Sequence, residues 1–327
     1  MRLTNALLGA AAIGLATMVA AQQTQPPAEP PAKQGGLQGL EDTVSQLRDE
    51  PPPAETPAPP APAPAPAPAP PRAAAPQRPV GPLTRAERSA LDAAVQRGRL
   101  LAAIDHAGRI ATQDMLSRVS DPAGAGISGW LAEPEGNAVT VTFYAEAAAG
   151  APPAAVYRAS ILGGRVTARE VFLAAGSRPP LGTHLARMAA ARRATEALDH
   201  QPCGGEAFNV LVVPPAAPDA AIDVYQISPQ TARGHYPFGG HFKSTIAPDG
   251  SVAAQRGFSN ACVDVEAAAP AAGAPPAPLA VTHLLDPLPT ELHVYLSLWT
   301  GHPLVVVAGD PQRLFAVTGE GIAEVPR

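Results

Sequence analysis

Val156-Tyr157-Arg158-Ala159-Ser160-Ile161-Leu162-Gly163-Gly164-Arg165-Val166-Thr167-Ala168-Arg169-Glu170-Val171-Phe172 is the stretch on which the fold turns. Two runs containing β-branched and aromatic residues, 156–162 and 166–172, flank a Gly-Gly pair, and glycine supplies the positive φ that a tight hairpin turn demands. Just upstream, Val139, Val141 and Phe143 alternate with Thr140, Thr142 and Tyr144. That period of two sends successive side chains to opposite faces of a strand, so antiparallel hairpins are expected from about residue 128 onward. Farther along, 209–213 and 222–227 are short apolar runs, and 240–247 meets 251–258 across the turn string Pro248-Asp249-Gly250. After an Ala/Pro segment at 267–278, the runs 279–285, 291–299, 304–308 and 314–317 read as further strands.

Helices precede and interrupt this sheet. Thr84-Arg85-Ala86-Glu87, with Leu83 before it, has the residues of a capping box. Leu91, Val95, Leu101, Ile104, Ile110, Met115 and Val119 continue a helical pattern, broken at Gly98 and Gly108 and ended by Asp121-Pro122, which predicts one or two helices. A second helical region is expected over 183–198. There Leu185, Met188 and Leu198 share a side while Arg187, Arg192 and Arg193 crowd elsewhere, either as a solvated face or as an anion site. Strands outnumber helices and no β-α-β alternation repeats, so the expected class is α+β: antiparallel sheet covered by N-terminal and middle helices. A subdomain boundary near 179, at Pro179-Pro180, is compatible with the pattern.

The chain has 327 residues and 41 prolines, where an ordinary composition of roughly 5% would supply about 16. Much of the excess lies in 51–82, where Pro-Pro-Pro-Ala-Glu-Thr-Pro-Ala-Pro-Pro is followed by a strict Ala-Pro alternation from Ala61 through Pro70. Proline fixes its own φ and keeps the preceding residue out of the helical region, so this linker reads as an extended polyproline rod of about 100 Å. Residues 1–21 have a cationic start (Arg2), an apolar run and small residues ending at Ala21, the parts of a secretory signal peptide, with Gln22 as the expected mature start. No cysteine lies near Ala21 to accept a lipid, and no membrane span is expected after cleavage. Residues 22–50 form a flexible segment in which Leu37, Leu40, Val44 and Leu47 fall on one helical stripe, either a short docking helix or scattered apolar residues. Residues 83–327 are then the globular domain. Lys33 and Lys243 are the only lysines among 23 basic residues, a usage typical of a GC-rich bacterial genome, for which export means a periplasmic or secreted location. A net charge of −5 argues against nucleic acid as a partner, since phosphate binding rests on clustered cations.

Cys203 and Cys262 are the only cysteines, and in an exported chain two cysteines are expected to pair. The competing reading makes Cys203, followed by Gly204-Gly205, a nucleophile activated by His235 or His241. Against it, such a nucleophile commonly opens a helix, whereas 206–213 reads as a strand. The candidate catalytic residues are His235, His241 and His293, taken from five C-terminal histidines that also include His283 and His302. No His-x-x-x-His pair occurs, so metal binding requires convergence from separate strands, with His241, Lys243 and Thr245 on one face and His293, Tyr295, Ser297 and Trp299 on another. No metal and no cofactor is assigned. No Gly-x-Ser-x-Gly elbow occurs.

Gly234-His235-Tyr236-Pro237-Phe238-Gly239-Gly240-His241, Phe258-Ser259-Asn260-Ala261-Cys262 and Pro289-Thr290-Glu291-Leu292-His293-Val294-Tyr295-Leu296-Ser297-Leu298 resemble segments of uncharacterised secreted proteins of Gram-negative bacteria. The resemblance spans roughly residues 84–327 and implies an envelope location, with no reaction, cofactor or catalytic residue attached. The expectation is therefore a binding or interaction module of the cell envelope, held on a proline-rich spacer and meeting an envelope protein or the cell wall. The alternative is an envelope hydrolase, dependent on a thiol or a metal.

Overall fold

The computed structural model describes residues 81–147 and 151–326. The expectations for the signal peptide (1–21), the segment 22–50 and the linker up to residue 80 lie outside these residues.

Helix α1 (Arg85–Leu116) starts where the capping box places it: the Glu87 N–H donates to Thr84 Oγ1 at 3.2 Å and the Thr84 N–H to Glu87 Oε2 at 2.6 Å. It then runs unbroken for 32 residues. Gly98 and Gly108, read as interruptions, are instead the places where something presses on the helix backbone. A Cβ on Gly98 would lie 2.5 Å from the Glu291 carbonyl oxygen and 2.6 Å from Val294 Cβ, and one on Gly108 would lie 2.6 Å from the Trp130 ring. Gly98→Ala is expected to lower stability by about 1–2 kcal/mol, although alanine favours a helix by about 1 kcal/mol, because the added methyl meets backbone that must shift. Chemical denaturation checks this; an unchanged or raised midpoint would show that the crossing has slack.

The first sheet is an antiparallel meander, β1 (Ile127–Glu135), β2 (Ala138–Ala145), β3 (Ala154–Leu162) and β4 (Arg165–Val171), in that spatial order. The 163–164 turn forms as read, with φ of 56° and 73° at the two glycines and Leu162 opposite Arg165. Leu101, Ile104, Ala107 and Ala111 of α1 are buried in one cluster with Val141, Phe143, Tyr157, Ala159 and Ile161 of the sheet. Residues 179–181 fold back onto β3: the Ala155 N–H donates to Pro179 O at 2.9 Å and the Leu181 N–H to Pro153 O at 2.7 Å. All described residues belong to one compact unit.

Helix α2 (Thr183–Glu196) covers a second sheet, β5 (Asn209–Val212), β6 (Ile222–Ile227), β8 (Phe242–Ile246) and β9 (Val252–Gly257), ordered β5-β6-β8-β9 and antiparallel throughout. Met188 and Leu185 pack with Val210, Val212, Val224 and Ile246 in a cluster of their own. Between β6 and β8, β7 (His235–Pro237) pairs with β10 (Asp264–Glu266) as a two-stranded ribbon.

The C-terminal third departs from expectation. Strand β11 (Leu279–His283) pairs in parallel with β12 (Leu304–Ala308), and β13 (Arg313–Val317) and β14 (Ile322–Glu324) follow antiparallel. Residues 291–299, expected as a strand, are helix α3 (Glu291–Thr300), the crossover between β11 and β12. Leu292 to Ser297 are six consecutive buried residues, so the helix shows no polar face from which a 3.6-residue period can be read. Its ends carry the signal instead. The Thr290 N–H donates to His293 Nδ1 at 3.0 Å, and Gly301 closes the helix at φ 73°. The domain is α+β, with three helices and predominantly antiparallel sheets among the described residues.

Candidate functional site

Cys203 and Cys262 are disulfide-bonded, with sulfurs 1.99 Å and Cα atoms 5.6 Å apart. His241 lies in the hydrogen-bonded knot beside them. The Cys203 N–H donates to Ser228 Oγ at 2.9 Å, Ser228 Oγ donates to Gly240 O at 2.7 Å, and the Ser228 N–H donates to His241 Nδ1 at 3.1 Å. Nδ1 is thus the acceptor, which leaves Nε2 to donate to Pro237 O at 2.9 Å. The ring is 1% exposed, and burial holds its pKa down at about 4. Both nitrogens are occupied by backbone, so His241 fixes the turn between β7 and β8 and offers no face to a substrate.

The other two candidates go elsewhere. His235 is half-exposed and pairs with Asp264 at 3.0 Å across the ribbon. His293 is buried at the first turn of α3, its Nδ1 spent on the cap, with its pKa lowered to about 3, first by burial and then by His283. The two expected strand faces do not exist as a pair, because His293, Tyr295, Ser297 and Trp299 lie on a helix. With both sulfurs in the disulfide, neither cysteine can be a thiolate nucleophile. Among the described residues, no three His, Cys, Asp or Glu side chains converge as a metal-binding group. The arginines of α2 are engaged locally: Arg192 Nη1 donates to Val210 O, Arg187 Nη2 to Ala220 O, and Arg193 pairs with Glu146.

What the structure does build is a cavity of about 370 Å³ between the ribbon, β11 and α3. Its walls are mainly apolar, with Phe238, Phe258, Val265, Val281, Leu292 and Leu296 among them. At its rim stand Val263, Leu284 and Leu285, with Leu284 80% exposed. Of the three candidate histidines only His293 lines it, joined by His283, whose ring meets it edge to face at 4.6 Å. His283 Nε2 lies 2.8 Å from Asp286, and Arg256 grips the same carboxylate through two bonds of 3.1 and 2.6 Å. The His283 hydrogen bond, with Arg256 behind it, holds the Asp286 carboxyl far below the usual carboxylate range. An ionised Asp286 accepts from Nε2, which fixes the His283 tautomer and ring orientation. Ser259, also in the wall, donates its hydroxyl to Ala261 O at 3.0 Å. The spacing His283-x-x-Asp286 is visible in the sequence, but only the bend after β11 makes the two meet. No family model, curated protein or solved structure matches the chain.

Proposed function

We propose that the protein is exported to the bacterial periplasm or beyond and acts there as a binding module, held on its proline-rich segment and engaging an envelope protein or cell-wall component. The observation that carries this reading is the apolar cavity with its exposed rim of Val263, Leu284 and Leu285. Its size falls within the range of pockets that enclose an apolar group, and large apolar side chains left in water around a concavity mark a surface that another molecule covers. The Cys203–Cys262 disulfide supports an oxidising compartment, no helix among the described residues is long and apolar enough to cross a membrane, and the resemblance to secreted Gram-negative proteins points the same way. The neutral dye N-phenyl-1-naphthylamine is expected to bind the full chain saturably at one site, about ten-fold more weakly in a Leu284→Asp/Leu285→Asp double variant. Equal binding by the two proteins would remove the support.

A hydrolase is the second reading, and the carboxylate-held His283 in the cavity wall favours it. The thiol-dependent form is withdrawn, since both cysteines are bonded. Turnover of peptidoglycan or peptides by the full chain that disappears in His283→Ala would put hydrolysis in place of binding.

A further inference from the structure

A second site is lined by α1, β1 and the Tyr295 and Trp299 side chains of α3, and the geometry points to a saccharide as its ligand: Trp130, Trp299 and the buried carboxylate of Asp105 form a groove for an uncharged glycan segment. The chain is poor in aromatic residues at 4%, yet both of its tryptophans line one hollow of about 280 Å³, together with Tyr295. Neither indole is fully buried. Trp130 reaches the hollow from β1 by seating its ring against Gly108, where any larger residue would displace it. Trp299 is held from behind by Tyr236, edge to face at 5.0 Å.

Among the polar groups that line the hollow with the indoles are a carboxylate, a guanidinium and two carboxamides, all planar. Asp105, 3% exposed, accepts from Asn209 Nδ2 at 2.7 Å and from Tyr295 Oη at 3.2 Å, and Arg109 Nη2 lies 3.5 Å from Oδ2. A carboxylate has about four acceptor positions, so capacity remains for a ligand hydroxyl. Asn209, Arg109 and the exposed Gln230 add donors around the same hollow. A second hollow of about 410 Å³ adjoins it, sharing Asp105, Arg109, Tyr295 and Trp299, so that Trp299 stands between two compartments.

Ligand chemistry follows from this inventory. A pyranose presents C–H groups on its ring faces, which pack on an indole, and vicinal hydroxyls on its edge, which pair with planar carboxylate, guanidinium and carboxamide groups. An aromatic cage for a quaternary ammonium needs the same rings around a net negative charge. Here Arg109 stands beside Asp105 and offsets it, which disfavours a cation and leaves a neutral polyol as the match. Two compartments divided by one indole suit consecutive sugar units of a chain. This site is separate from the apolar cavity and stands or falls without it.

Because Trp130 and Trp299 are the only tryptophans, their emission reports the groove directly. The full chain is titrated with tetra-N-acetylchitotetraose, cellotetraose and maltotetraose, with tetramethylammonium chloride as the cation arm. At least one oligosaccharide is expected to change the emission saturably, the acetylated and unacetylated arms showing whether the acetamido group is read. Calorimetry is expected to give affinity about ten-fold or more weaker for Trp299→Leu. Trp299 also packs in the core, so Gln230→Ala, at an exposed residue, must weaken binding several-fold without moving the thermal midpoint, and Arg109→Ala, which also strips Asp105 of its charge partner, must weaken binding several-fold with a lowered midpoint. Silence with all three oligosaccharides up to about 10 mM, binding of tetramethylammonium in their place, or unchanged affinity in both exposed variants would overturn the assignment.

Discussion

Replacing both cysteines in Cys203→Ser/Cys262→Ser is expected to lower the stability of the protein by about 4 kcal/mol. The bridge spans 59 residues of sequence, and closing a loop of that length removes about 14 cal/mol/K of entropy from the unfolded chain in the chain-entropy model. The folded side of the equilibrium loses order as well. Gly240 sits with φ 67° where a Cβ would meet Cys203 Sγ at 2.5 Å, and the Ser228 hydroxyl links the Cys203 backbone to that same turn. Urea denaturation of the oxidised chain and the double variant measures the loss. A difference below about 1 kcal/mol, or two thiols open to alkylation in the unreduced native protein, would contradict the closed loop.

The second large effect is acid lability that starts before carboxylates titrate. His241 and His293 are buried and neutral, with pKa values lowered to about 4 and about 3, whereas in the unfolded chain each returns to about 6.5. Between those values the unfolded chain binds the additional protons, so stability rises with pH. Their contribution is complete above about pH 6.5 and drains away as pH falls toward 4 for His241 and toward 3 for His293. For His241 alone the loss approaches about 3 kcal/mol. Asp286 adds to it lower down: its folded pKa is depressed, so what it contributes is present above the ordinary carboxylate pKa of about 4 and lost below. Urea midpoints between pH 7 and pH 4 test this. His241→Gln, which keeps an acceptor and a donor, is expected to reduce the slope by about 1.4 kcal/mol per pH unit in the middle of the window. A wild-type stability that is flat from pH 7 to 4.5 would sink the argument.

Two classes of element were legible from sequence. The α1 cap and the hairpin at Gly163-Gly164 depend on residues within a few positions of one another, and both stand as read. Ile222–Ile227 and Leu304–Ala308 likewise have the extents read from their apolar runs. What could not be read depends on partners far away in the chain. Gly98 and Gly108 look like breaks until α3 and Trp130 are seen resting on them. The 291–299 run resembles a strand because six consecutive buried residues, Leu292 to Ser297, leave no polar stripe at helical spacing, so that Thr290 and Gly301 are what mark the helix. The histidines show the same limit. Residue type alone gave His235, His241 and His293 equal standing, but the fold placed one on a ribbon, one in a backbone knot and one at a helix cap. His283, not singled out, holds Asp286 beside the cavity. Asp105, likewise not singled out, joins Asn209 and Tyr295 across separations of 104 and 190 residues.

The crossing of α1 by α3 has a consequence for the order of events during synthesis. Tyr295 reaches Asp105 across 190 residues, Arg99 reaches Gly319 across 220, and Arg313 reaches Glu87 across 226. At about 5–20 residues per second, α1 leaves the ribosome roughly 10–40 s ahead of the segment that covers it. For that interval Gly98 awaits Glu291 and Val294, and Asp105 awaits Tyr295. The nascent chain does not close this core from its N-terminal side alone, and the longest helix among the described residues is completed by the last-made third.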